Sequence, residues 1–137
     1  PRREMAQRTI FNILGPLTNP AGATHQLIGV YSLEMARIYH YLLQEEGINY
    51  TIIHGLDGYD EISLTSGFKL FTKNNEEQIS PEDLGLKRLK QSEIFGGNSV
   101  DESAKIFISI IEGKGTEAQN NVVLANAAFA LKTFDAN

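Results

Sequence analysis

Three carboxylates fall within five residues in the segment His54-Gly-Leu-Asp-Gly-Tyr-Asp-Glu-Ile-Ser63. Adjacent Asp60 and Glu61 suit Mg²⁺, a hard cation that takes one or two protein carboxylates and leaves its other positions to water and phosphate. Gly55 and Gly58 allow a tight, open backbone around the acids. By spacing alone, the same residues also fit an acidic surface turn that caps a neighbouring element.

A second segment, Arg8-Thr-Ile-Phe-Asn-Ile-Leu-Gly-Pro-Leu-Thr-Asn-Pro20, joins an apolar turn to two stops, Gly15-Pro16 and Asn19-Pro20. Proline cannot continue a helix and pushes the preceding residue out of the helical region. The spacing therefore predicts a stiff loop directly after a buried turn, a shape suited to holding a small ligand. Arg2 and Arg3 offer guanidinium groups for a carboxylate or phosphate, or simply stay solvated, while Arg8 suits a structural pairing. His25, His40 and His54 are too scattered for a metal cage. His40 is expected on a helix surface, and His54 as a hydrogen-bonded core residue at a strand end. No Ser/His/Asp arrangement and no phosphate-cradling glycine loop of the P-loop or dinucleotide type is visible.

These groups need a scaffold, and the pattern predicts one. Gln26–Tyr31 reads as a strand, Leu33–Glu46 as a helix capped by Ser32, and Asn49–His54 as a buried strand. Met35, Ile38, Tyr39, Leu42 and Leu43 keep a helical period on that helix. Strand, helix and strand in about thirty residues make a βαβ unit. Glu61–Thr65 and Phe68–Thr72 read as a hairpin about Ser66-Gly67, followed by a short strand near Gln78-Ile79. Ser80-Pro81-Glu82-Asp83 starts a helical turn. Ser99 and Thr116 open capping boxes for helices over 100–112 and 117–133. The expected fold is α/β: a mostly parallel sheet with flanking helices, a βαβ core, a hairpin-like extension and two C-terminal helices. In an open α/β sheet ligands collect beyond the carboxyl ends of the strands. The acidic bend follows one such end, and the proline-braced corner is expected to share its rim.

The 137 residues fit a single domain with a real core, 42% hydrophobic and carrying a net charge of −5. That charge makes a nucleic-acid surface an unsuitable reading. The chain contains no cysteine, which excludes disulfides and thiolate metal sites. No apolar run approaches membrane-spanning length, and a cytoplasmic setting is expected.

Arg8–Pro20 with Ala21 closely resembles a signature of the anthranilate phosphoribosyltransferase family, and His54–Ser63 resembles that family's acidic metal loop. Gln26–Tyr31, Pro81–Gly85, Gly96-Gly97 and Val123–Ala128 extend the likeness over nearly the whole chain. The resemblance implies transfer of a phosphoribosyl group from phosphoribosyl pyrophosphate to the amine of anthranilate, with release of pyrophosphate, in tryptophan biosynthesis. It also implies Asp60 and Glu61 as Mg²⁺ carboxylates, Arg2 as an anthranilate-binding arginine and Pro16 as a wall of the aromatic channel. The family's helical N-terminal domain, its Gly-Thr-Gly-Gly-Asp loop and its Lys-His-Gly-Asn segment do not occur in these 137 residues. The chain, which opens on Pro1, is therefore expected to be a C-terminal α/β part of a longer enzyme, inactive alone, whose missing domain mediates homodimerisation. A nucleoside phosphorylase-like relative and a non-catalytic binding domain of the same fold are the alternatives.

Overall fold

The computed structural model describes residues 14–18 and 22–135. Arg2, Arg3, Arg8, Asn19 and Pro20 lie outside the described residues. Strand β1 (His25–Gly29) leads into helix α1 (Leu33–Glu45) and strand β2 (Asn49–Gly55). Strands β3 (Phe68–Thr72) and β4 (Glu76–Ile79) follow, and helices α2 (Val100–Ile111) and α3 (Glu117–Asp135) close the chain. The four strands form one sheet in sequence order.

The α/β class is as expected, but parallel pairing is confined to the βαβ unit. β1 and β2 run parallel, whereas β2–β3 and β3–β4 are antiparallel, so the sheet is mixed. For the β3–β4 pair the cause lies in the connection. A parallel return requires a crossover of a dozen or more residues, and the three-residue link Lys73–Asn75 allows only a hairpin. That hairpin differs from the expected one, because Glu61–Thr65 forms no strand. Phe68 pairs with Gly55 instead.

Residues 61–65 plug the core as irregular chain. Ile62 and Leu64 are fully buried, and Leu64 adopts a φ of 60°. A left-handed non-glycine residue costs about 1–2 kcal/mol, which burial of a leucine side chain, worth about 1.5–3 kcal/mol, offsets. Leu64 O also accepts a hydrogen bond from Leu89 N at 2.9 Å.

Alternation along β2 divides the core in two. Tyr50 and Ile52 join Ile28, Phe71 and α1 residues Met35, Ala36, Tyr39 and Leu43 in one apolar cluster. Ile53 joins Phe68, Leu70, Ile62, Leu64 and α3 residues Ala125 and Phe129 in another. Successive strand side chains point to opposite faces, so one strand serves both layers. On α1 the buried stripe runs through Met35, Ala36, Tyr39 and Leu43, while Ile38 and Leu42, expected on the apolar face, are exposed. His40 is half-buried rather than superficial. Its Nδ1 lies 2.9 Å from the Tyr50 hydroxyl, and its ring packs against Phe71.

The capping signals are realised. Ser32 Oγ accepts from Met35 N. Thr116 and Gln119 satisfy each other's backbone N–H groups, at 3.2 and 3.0 Å. At Ser99 the box is shifted by one residue: Ser99 Oγ accepts from Glu102 N, and the Glu102 carboxylate accepts from Asn98 N.

Candidate metal site at the sheet end

The acidic bend leaves the carboxyl end of β2 through two tight hydrogen bonds, Gly58 N to Gly55 O and Gly55 N to Tyr59 O, at 2.9 and 2.8 Å. Gly58 has a φ of 96°, a conformation that side chains resist. Asp57, itself exposed, turns back on the bend: its carboxylate accepts from the hydroxyls of Ser63, at 2.9 Å, and Thr65. That carboxylate organises the bend, and the exposed pair Asp60–Glu61 is left for a ligand.

Two contacts fix the backbone on either side of the pair. Asp60 rests on Gly29 at the end of β1. A Cβ at position 29 would lie 1.8 Å from the Asp60 carbonyl oxygen, so only glycine permits the approach. Behind Glu61, Ile62 N donates to Asn126 Oδ1 at 3.0 Å, and Asn126 Nδ2 donates to Ile62 O at 2.8 Å. Asn126 lies on α3, and its amide is oriented by a further bond from Nδ2 to Val122 O, 2.9 Å.

The two carboxyl groups meet. A hydrogen bond to Asp60, partial burial and the charges of Asp60 and Asp57 raise Glu61 from 4.5 to about 7. Bringing like charges together is unfavourable without a proton or a cation between them. Among the described residues no group of three or more acidic or histidine side chains converges to enclose a metal. A two-carboxylate platform is thus the available donor set, and it fits Mg²⁺ completed by water and phosphate oxygens. A cavity of about 390 Å³ opens beside it, lined by Tyr59, Glu61, Ser63, Gln91 and Phe95 among others.

The expected shared rim is not found. Leu17, which ends the Gly15–Leu17 turn containing Pro16, lines a different cavity with Thr24, Gln26, Glu46 and Ile48. These residues stand at the amino ends of β1 and β2, whereas Asp60 packs at the carboxyl end of β1. Arg2 lies outside the described residues. His54 behaves as expected: it is buried, and its Nδ1 lies 2.9 Å from Val30 O. Asn126 falls within Val123–Ala128, one of the segments of likeness, but the sequence gives it no role of its own. Its signal is a residue prone to side-chain–backbone bonding placed inside an alanine-rich helix, on the stripe that includes Val122 and buried Phe129.

The described residues thus form a mixed α/β sheet with an exposed acidic pair beyond the carboxyl end of β2. Residues 1–137 match the glycosyl transferase family, a/b domain, and the chain belongs to that family. It is 56% identical over 132 residues to the anthranilate phosphoribosyltransferase of Flavobacterium johnsoniae, covering 96% of this chain and 40% of that protein. The enzyme of the same name from Bacteroides fragilis is 51% identical over 131 residues, again covering 96% of this chain and 40% of the relative. The chain thus spans 40% of the length of these curated relatives. Among solved structures, the anthranilate phosphoribosyltransferase of Thermus thermophilus superposes with a TM-score of 0.83 at 28% identity, covering 99% of this chain and 41% of that one. The Saccharomyces cerevisiae enzyme in complex with PRPP and Mg shares the fold with a TM-score of 0.61 at 19% identity, covering 98% of this chain and 46% of that one.

Proposed function

We propose that these residues form the α/β part of an anthranilate phosphoribosyltransferase and supply its Mg²⁺ carboxylates. The observation that carries the reading is the Asp60–Glu61 pair, exposed and held together at the sheet end of a chain whose relatives bear that activity. In the reaction the anthranilate nitrogen bonds to C1 of phosphoribosyl pyrophosphate as the C1–oxygen bond to pyrophosphate breaks, and the amine gives up a proton. Bound Mg²⁺ would neutralise charge that accumulates on the departing pyrophosphate. Asp60 and Glu61 would hold that ion, on a bend shaped by the Gly58 turn and by the hydrogen bonds of Ser63 and Thr65 to Asp57.

By the resemblance alone, Arg2 is assigned to the carboxylate of anthranilate and Pro16 to its ring, although the turn that holds Pro16 stands at the other strand ends from Asp60 and Glu61. Orienting a neutral aromatic amine is the main demand on such a site. The phosphoribosyl-binding glycine loop and a homodimer interface belong, in this reading, to parts of the enzyme outside these 137 residues, and the setting is cytoplasmic. Among the described residues no helix is long and apolar enough to cross a membrane.

The test is turnover by the full-length enzyme, followed as loss of anthranilate fluorescence with phosphoribosyl pyrophosphate and Mg²⁺. Asp60→Asn is expected to lower kcat/KM at least about 100-fold, the scale of a lost electrostatic stabiliser. The isolated chain is expected to show no turnover. An Asp60→Asn enzyme as active as its parent, or one that responds to pyrimidine nucleosides and not to anthranilate, would overturn the assignment.

A further inference from the structure

We infer that Asn126 is a positioning residue for the Asp60–Glu61 pair, tying the conformation of the cation platform to helix α3. The inference rests on the metal reading above and adds a residue to it. The peptide that follows Glu61 is gripped on both sides of Ile62: the N–H by Asn126 Oδ1 at 3.0 Å and the carbonyl by Asn126 Nδ2 at 2.8 Å. A side-chain amide thereby does for Ile62 what a neighbouring strand would do, in a stretch with no strand partner of its own.

The grip is rigid at its own root. Asn126 Nδ2 also bonds Val122 O one turn earlier, which fixes the amide plane before the loop engages it. Ile62 is fully buried and packs in the cluster that holds Ala125 and Phe129 of the same helix. Polar grip and apolar anchor therefore act on one residue from one helix. On the other side, the backbone of Asp60 is seated against Gly29. Between these two supports only Glu61 intervenes, so the carboxylate pair has little backbone freedom left. A metal ligand held by fixed outer partners binds more tightly, and losing such a partner typically costs 10–100-fold in affinity.

The test uses the full-length enzyme with Mn²⁺ as a paramagnetic probe, free Mn²⁺ being counted by electron paramagnetic resonance. Asn126→Asp keeps the acceptor and loses the donor to Ile62 O, and Asn126→Leu loses both bonds. Both are expected to weaken Mn²⁺ binding at least about 10-fold. Hydrogen exchange, read without metal, is expected to speed at least about 10-fold in residues 57–63 while β2 stays protected. Thr133→Ala, which alters α3 two turns away, serves as the control for general destabilisation and is expected to leave Mn²⁺ affinity within two-fold. The proposal is overturned if the Asn126 variants bind Mn²⁺ like the parent, if exchange in the bend does not change, or if Thr133→Ala weakens Mn²⁺ as much. A parent chain whose Mn²⁺ binding is absent, or is untouched by Asp60→Asn, instead removes the metal reading itself.

Discussion

Asp60 and Glu61 sit on a bend seated against Gly29 on one side and held through Ile62 by Asn126 on the other. Paired acids after a buried strand are visible as letters, and so are the glycines that let the chain turn. Gly29 and Asn126 are not, because their roles depend on which strand end and which helix face the bend comes to rest against. Gly29→Ala is expected to destabilise the chain by about 1–3 kcal/mol, an overpacking cost, since the added methyl would overlap the Asp60 carbonyl. A denaturant midpoint measures it. The acids also predict a pH effect in the metal-free chain. Glu61 loses its proton near 4.5 when unfolded and at about 7 when folded. The folded state therefore holds the extra proton between those values, and stability falls as pH rises through the window. Because Glu61 is exposed, the loss should stay below about 1 kcal/mol. Thermal midpoints at pH 5 and pH 8 should differ less for Glu61→Gln than for the parent, and an identical pH dependence in the two would contradict the assignment.

At the scale of elements, caps and periodicity were good guides wherever local chemistry decides the structure. Ser32, Ser99 and Thr116 each begin a helix because their hydroxyls satisfy first-turn N–H groups. The βαβ unit follows from an amphipathic helix between two β-prone runs. Phe68–Thr72 and the short strand near Gln78-Ile79 form as expected, whereas Glu61–Thr65 does not, because its alternating pattern suits a core plug as well as a strand. Tertiary packing of Ile62 and Leu64 overrides the pattern. One inter-element link gives a clean test. Thr133 Oγ1 on α3 lies 2.8 Å from Thr51 Oγ1 on β2, both side chains buried. Thr133→Val alone is expected to cost about 1–3 kcal/mol by leaving a buried hydroxyl without its partner, and the double change with Thr51→Val should recover much of the loss. A double-mutant cycle in urea reads the coupling.

At the scale of the whole molecule, the surface carries more apolar area than the core arrangement explains. Phe107 and Ile111 on α2, and Leu124, Leu131 and Phe134 on α3, are each more than half exposed, and no residue of α2 is buried. Exposed apolar area of this kind favours association. The chain is expected to self-associate reversibly, with a weight-average mass that rises with concentration in sedimentation equilibrium. Ile111→Glu with Leu131→Glu should lower that mass without lowering the thermal midpoint. The two margins of the sheet, finally, are unlike. β4 ends it with exposed Glu76, paired with Lys69 of β3 at 3.1 Å, and exposed Glu77, and charged side chains on an edge strand discourage another chain from pairing there. β1, His-Gln-Leu-Ile-Gly, carries no acidic or lysine side chain and is the outer strand of the opposite margin among the described residues. Growth of this sheet, whether by more of the same polypeptide or by a foreign strand, therefore has one permissive direction, and it begins at β1.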